Sequence, residues 1–309
     1  MSAQLVSVIL PTFNRSEWIA RAIESVLNQT YKAFELIVVD DGSTDETAAV
    51  LRPFGARIRV LRQEHLGPYA ARNLALRHAK GDLIAFADSD DIWHPNKLAK
   101  QVPLLSAPDI GLVFADMALL NGSRTSLLPI GRSAFSSSRP ARGSVMEAFA
   151  QGNFVPTLTV LVRRICLDEI RGFEQESRLG ADYLAWVKIA RRWRFDYVDA
   201  PLADCTVHAG SISYDLGRSL AARIALFQAE LARTSGRDAG VLRRILATLG
   251  VQLTIAVPRG RAASVDQPLK VAGRALLDAG PKDALRAIAG LAVRQVYKSR
   301  RRSAEQSAS

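Results

Sequence analysis

Val6-Ser7-Val8-Ile9-Leu10-Pro11-Thr12-Phe13-Asn14-Arg15 opens the first apolar run of the chain. Glu35-Leu36-Ile37-Val38-Val39-Asp40-Asp41-Gly42-Ser43-Thr44-Asp45 ends the second on two carboxylates. Both runs are short and rich in β-branched residues, the pattern of strands buried on both faces. Between them, Ser16 reads as the N-cap of a helix through Leu27, on which Ile19, Ile23, Val26 and Leu27 share a face. Thr44 and Asp45 open a second helix that runs through Leu51 and stops at Pro53, and Ile58 to Leu61 reads as a third strand. Tyr69 to Ala79 reads as a helix closed by Gly81, and Leu83 to Ala87 as a fourth strand ending at Asp88-Ser89-Asp90-Asp91. Such alternation predicts an α/β fold with a mostly parallel sheet flanked by helices, its binding loops following the strands.

In a doubly wound sheet, ligands sit outside the carboxyl ends of the strands. Asp40 and Asp41, and the Asp88 to Asp91 cluster, therefore face a crevice where carboxylates hold a cation. Hard divalent cations such as Mg²⁺ or Mn²⁺ take oxygen ligands and commonly share them with nucleotide phosphates. The four strands thus point to a metal and diphosphate site.

The 309 residues, 48% of them hydrophobic, suffice for a large core in one or two domains. A net charge of +11 is compatible with nucleic acid, an anionic membrane surface or an acidic substrate, but no nucleic-acid recognition module accompanies it. Cys166 and Cys205 are too few for a disulfide framework and fit a reducing, cytoplasmic compartment. No signal peptide is expected, because the run from Val6 lacks a basic flank and meets Pro11. Ile245 to Val257, interrupted by Gly250, Gln252 and Thr254, falls short of the ~20 residues of a spanning helix.

Beyond residue 120 the pattern weakens. Gly122 to Gly143 reads as an exposed loop, Thr157 to Val162 as a strand, and Leu184 to Trp193 as a helix. From Asp215 onward the chain is rich in Ala, Leu and Arg with helical periodicity, broken near Gly236, Pro258, Pro268 and Pro281. This reads as a helical appendage over 215–309, after an α/β domain over 1–214.

The residues quoted above, with Ser25-Val26-Leu27-Asn28-Gln29-Thr30-Tyr31, Gly67, Ala71-Arg72-Asn73 and Phe86-Ala87-Asp88-Ser89-Asp90-Asp91-Ile92-Trp93, resemble the family 2 glycosyltransferases. The resemblance is strong over the first 105 residues, weaker to about 213, and absent in the tail. It implies a GT-A fold and an inverting transfer of a single sugar from a nucleotide-sugar donor to an acceptor hydroxyl. Pro11, Thr12 and Phe13 would pack on the donor base, and Asp41 would accept a hydrogen bond from its ring N–H, which suits uracil or thymine. Arg72 would reach the base or diphosphate, where its fork of donors matches phosphate oxygens.

Asp88-Ser89-Asp90 matches the DXD motif of that family, with Asp90 as metal ligand and Asp88 near the ribose or metal. The family takes its base from an acidic residue roughly a hundred positions later, and Asp182 in Gly180-Ala181-Asp182-Tyr183-Leu184-Ala185-Trp186 fits. Ala181 stands where a paired Glu is often found, and Glu174 and Glu176 are the reserve candidates. His208, in Thr206-Val207-His208-Ala209-Gly210-Ser211, resembles a segment that approaches the diphosphate or metal; His94 is a weaker candidate, and His65 and His78 carry no readable signal. Processive relatives carry Gln-x-x-Arg-Trp beside spanning helices. Here Arg192-Trp193 has Ile189 at the Gln position.

The tail clusters Arg294, Lys298, Arg300, Arg301 and Arg302 beside Ile288, Leu291, Val293 and Val296. A basic amphipathic helix of this kind suits an anionic membrane surface and a lipid-linked glycan acceptor in surface polysaccharide synthesis. The competing readings are an inactive sugar-nucleotide-binding scaffold and a nucleotidyltransferase. The latter wants a Gly-rich basic loop after the first strand, which Pro11-Thr12-Phe13-Asn14 is not.

Overall fold

The computed structural model describes residues 3–121, 124–126, 142–207, 216–256, 262–285 and 287. Described residues up to 207, except 146–154, form one compact unit; 146–154 and the described residues from 216 form a second.

The first unit is built on a nine-stranded sheet. Strand β1 (Val6–Thr12) pairs in parallel with β2 (Phe34–Asp40) on one side and with β4 (Leu83–Phe86) on the other, and β2 pairs in parallel with β3 (Arg59–Arg62). Every residue of β1 and β4 is buried, as their unbroken apolar runs require. The chain winds outward through β1, β2 and β3, then crosses back to β4. The reversal lies between β1 and β4, which puts the topological switch point at the carboxyl ends of these two strands.

Three helices connect these strands. Helix α1 (Ile19–Leu27) buries Ile19, Ala22, Ile23 and Val26. Ser16 does not cap it, since the helix begins at Ile19 and the Ser16 amide instead donates to Asp45 Oδ2 at 3.1 Å. The short α2 (Thr47–Leu51) starts later than its sequence suggests, with Asp45 Oδ1 accepting from the Thr47 amide at 3.0 Å. Helix α3 (Pro68–His78) begins with Gly67 at φ +99° and Pro at its first turn, a start set by backbone freedom at one residue and fixed φ at the next.

The other half of the sheet is mixed. Strand β5 (Ile92–Trp93) follows the acidic cluster, α4 (Lys97–Gln101) comes next, and β6 (Ile110–Asn121) pairs with the short β7 (Arg124–Ser126). Where Thr157 to Val162 suggests a strand, the chain makes a 3₁₀ turn over Thr157–Thr159 before β8 (Leu161–Arg163). Pro156 starts that turn, and its carbonyl accepts from both the Thr159 amide and hydroxyl. After α5 (Arg164–Glu169), helix α6 spans Ala181–Ala190, three residues earlier than the sequence pattern, because Gly180 takes a left-handed φ of +78° at its start. Strand β9 (Arg194–Val207) runs parallel to β6 with irregular register around Asp116 and Pro201, and antiparallel to β5. The strand order is β3-β2-β1-β4-β8-β6-β9-β5.

The second unit joins a 3₁₀ segment, Met146–Gln151, to helices α7 (Leu216–Leu231), α8 (Gly236–Ala256) and α9 (Ala262–Ala279). Gly250 permits close packing of α8 on α9, since a Cβ there would sit 3.1 Å from the Ala272 carbonyl oxygen. Gln228 bonds to Asp278 at 2.7 Å, Thr248 to the Ala150 carbonyl at 2.8 Å, and Arg244 pairs with Glu147. Helix α9 continues through Pro268 rather than breaking there. The 21 residues of α8 exceed the Ile245–Val257 run, and by length and composition this helix is apolar enough to cross a membrane, although 61% of its apolar window is buried within the protein. The expected basic helix of 288–302 lies outside the described residues.

Candidate functional site

The site lies at the carboxyl ends of β1, β2 and β4, and helix α3 organises it. At the β2 end, Asp40 is structural: its Oδ1 accepts from the Ser43 amide at 2.9 Å and so closes the turn after the strand. Asn14, at φ +50°, ties the β1 loop to this turn, its Oδ1 accepting from the Thr44 amide at 2.8 Å.

Asp41 is 3% exposed. Its Oδ1 accepts from the Leu66 amide at 2.9 Å and from Gln63 Nε2 at 2.6 Å. Its Oδ2 accepts from the Gly67 amide at 2.9 Å and lies 3.1 Å from His65 Nδ1. Three donors, from Gln63, Leu66 and Gly67, hold the carboxylate, while His65 Nδ1 bonds to the Asp41 main-chain carbonyl at 3.2 Å. Phe13 stands at the same corner with its ring stacked on that of His65, centroids 3.8 Å apart. Thr12 is buried beside it, its hydroxyl without a hydrogen-bond partner.

The acidic cluster closes β4. The Ala87 amide donates to the Ile9 carbonyl, and Asp88 to Asp91 then turn back, the Asp91 amide donating to the Asp88 carbonyl at 3.3 Å. Arg72, buried on α3, donates to Asp88 Oδ1 at 2.6 Å and leaves its Nε without a partner. Arg15 lies 3.5 Å from Asp90. Asp91 is anchored away from this pair, accepting from the Thr206 amide on β9 at 2.8 Å. Burial raises the pKa of Asp88, and neighbouring Asp90 adds to that despite Arg72; burial, Asp88 and Asp90 push Asp91 well above the usual carboxylate range. Three carboxylates thus gather at the end of one strand. Asp88 and Asp90 offer the hard oxygen ligands that suit a divalent cation sharing its coordination with phosphates.

Asp182 occupies the first turn of α6, where a carboxylate is favoured by the helix dipole. Tyr69 of α3 donates its hydroxyl to Oδ1 at 3.0 Å, and Thr157 donates to Oδ2 at 2.7 Å. Each carboxylate oxygen is held by one hydroxyl, leaving further lone pairs free to accept a proton. Behind Tyr69, Phe173 packs at 5.7 Å and itself meets Phe86 and Trp186, so the wall is apolar. Asn73 grips Phe173 through both its backbone groups, at 2.8 and 2.9 Å.

Three of the candidate carboxylates are thus held by α3 and the loop that enters it. The loop entering α3 holds Asp41, Arg72 holds Asp88, and Tyr69 holds Asp182. The Arg72 guanidinium also lies 5.3 Å from the centre of the Tyr69 ring, linking the last two.

Other sequence candidates fall elsewhere. Glu174 pairs with Lys188 at 2.7 Å, Glu176 is exposed on the loop before α6, and His94 is bound to Asp204 at 2.9 Å. Arg192 and Trp193 both bond to Glu169, a packing role at the end of α6. His208 lies outside the described residues. Tyr69, Thr157 and His65 were not singled out by sequence. Tyr69 is indistinguishable there from a core aromatic, and Thr157 sits in what reads as a strand.

A model of the glycosyl transferase family 2 matches residues 7–153. An uncharacterized glycosyltransferase of Rickettsia felis is 31% identical over 211 residues, 68% of this chain and 34% of the relative. The UDP-Glc:alpha-D-GlcNAc-diphosphoundecaprenol beta-1,3-glucosyltransferase of Escherichia coli is 41% identical over 125 residues, 40% of this chain and 49% of the relative. The chain therefore spans about a third to a half of the length of these curated relatives. Among solved structures, S. aureus TarS residues 1–349 in complex with UDP-GlcNAc superposes with a TM-score of 0.67 at 19% identity, covering 96% of this chain and 92% of that one. At that identity the likeness is one of fold.

Proposed function

The chain belongs to glycosyl transferase family 2, and on that premise we propose that it transfers a single sugar, with inversion, from a UDP- or dTDP-sugar to an acceptor hydroxyl. The observation that carries this reading is that Asp41, Asp88 and Asp182 are each held by a group of helix α3 or of the loop entering it.

In this reading Pro11, Thr12, Phe13 and Asp41 take the base, Arg72 and Asp88 meet the ribose and diphosphate, and Asp90 with Asp88 holds Mg²⁺ or Mn²⁺. His208 is the proposed further ligand. A divalent cation bound there would offset charge on the departing nucleoside diphosphate. Asp182 removes the acceptor hydroxyl proton as the new glycosidic bond forms on the face opposite the leaving group, so one in-line displacement inverts the anomeric centre. Tyr69 and Thr157 fix the carboxylate for that transfer, and the aromatic wall of Phe86, Phe173 and Trp186 keeps water from its back.

The printed name of the E. coli relative supports a lipid-diphosphate-linked acceptor and a role in surface glycan synthesis. The basic segment 288–302 would bring the enzyme to the anionic inner face of the membrane. Asp182→Asn tests the reading: nucleotide affinity should be retained while sugar transfer falls by about 10²–10⁴. Unchanged transfer would remove Asp182 as the base.

A further inference from the structure

His65 stands where a nucleobase would stand. Its ring lies on Phe13 with centroids 3.8 Å apart and planes 26° from parallel. Arg178 lies with Nη1 2.8 Å from His65 Nε2. A guanidinium only donates, so Nε2 is the acceptor and Nδ1 carries the ring hydrogen. That N–H donates to the Asp41 main-chain carbonyl at 3.2 Å, and Nδ1 also lies 3.1 Å from the carboxylate oxygen Oδ2. A planar ring stacked on Phe13, with its N–H at Asp41, thus takes up the stacking assigned above to uracil or thymine and lies beside the carboxylate that would read the base.

Arg178 secures this arrangement from the acceptor side. Its Nη2 donates to the His65 carbonyl at 3.3 Å, and its Cγ lies 3.2 Å from where a Cβ on Gly67 would be. Arg178 belongs to the loop that runs from Phe173, held by Asn73, to Asp182, four residues further on. His65 and Arg178 therefore connect the base pocket to the segment carrying the catalytic carboxylate.

We propose that His65 is an internal occupant of the nucleobase position, that Arg178 locks it there, and that donor binding displaces His65 and so releases the loop leading to Asp182. This rests on the donor-site reading given under Proposed function. It makes the two residues positioning groups that oppose donor binding and order it ahead of acceptor binding. Displacement costs the stacking and hydrogen bonds of His65, and a competing closed state weakens the apparent affinity by the fraction of open protein.

The test is calorimetric titration of UDP and dTDP with Mn²⁺ into the full-length chain, His65→Ala and Arg178→Ala, with hydrogen exchange of residues 174–180. The expected result is nucleotide binding about five- to tenfold tighter in His65→Ala, and less so in Arg178→Ala, as the competitor is removed. Exchange over 174–180 should rise on nucleotide addition in the wild type, and be raised already without nucleotide in Arg178→Ala. Weaker or unchanged binding in both variants, with wild-type binding intact, overturns the inference and leaves the transferase reading in place. Absence of nucleotide binding in the wild type and both variants overturns both. Arg178 is exposed, so its variant carries the test even where His65→Ala fails to fold.

Discussion

The two acidic corners of the site are compensated in opposite ways. At Asp41, one buried carboxylate meets three donors, two of them backbone amides, and its charge is spread into the loop before α3. At Asp88 to Asp91, three carboxylates crowd at one strand end, with Arg72 on Asp88, Arg15 3.5 Å from Asp90 and the Thr206 amide on Asp91. The first corner holds one carboxylate in a net of amides; the second gathers like charges, and burial and mutual repulsion raise the pKa of Asp88 and Asp91. In the proposed reading the first serves a base and the second a metal diphosphate, and α3 joins both to Asp182.

This contrast can be broken by substitution. The largest effect is expected from Asp182→Asn, with transfer lowered about 10²–10⁴ and nucleotide binding kept, read by turnover against calorimetry. Asp41→Asn should act on the fold as well as the site. An amide in place of the carboxylate turns one acceptor into a donor facing donors, costing about 1–3 kcal/mol and lowering the melting temperature. A melting temperature equal to the wild type would show that the three bonds to the Asp41 carboxylate do not hold the loop. Tyr69→Phe should leave stability and nucleotide affinity near those of the wild type and lower kcat about tenfold, the loss of one hydrogen bond that positions Asp182. A changed KM for nucleotide with unchanged kcat would place Tyr69 in donor binding instead.

The smallest effect concerns Asp45, which is exposed at the turn beside this site. Partial burial alone would raise its pKa, but hydrogen bonds from Thr47 and Ser16 outweigh this and hold it at about 2. Because the folded value is depressed from 3.8, its stabilisation is present above that value and is lost as pH falls toward 2. Asp45→Ala should lower the melting temperature slightly at pH 7 and not at pH 2, compared across a pH series.

The legibility of these parts in sequence follows from how local their signals are. Strands β1, β2 and β4 are apolar runs that end on the very residues facing the crevice, so Asp41, Asp88 and Asp90 could be placed from spacing and resemblance together. Strand β9 could not: Asp196, Asp199, Pro201 and Asp204 interrupt it, and it is held as a strand by β6 across a register irregularity at Asp116. Asp182 was marked only by resemblance, and its hydroxyl partners come from residues 113 and 25 positions away. His65 and Arg178 carry no motif at all, since their meaning lies in a contact between two loops distant in the chain.

The central claim is that Asp88 and Asp90 complete a nucleotide site only with a cation. Its most direct test is calorimetric titration of UDP, dTDP and GDP, with and without Mn²⁺, into the wild-type chain and Asp90→Asn. The proposed reading predicts UDP or dTDP binding that depends on Mn²⁺ and is abolished by the substitution. Binding of no nucleotide, or binding indifferent to both metal and Asp90, would contradict it.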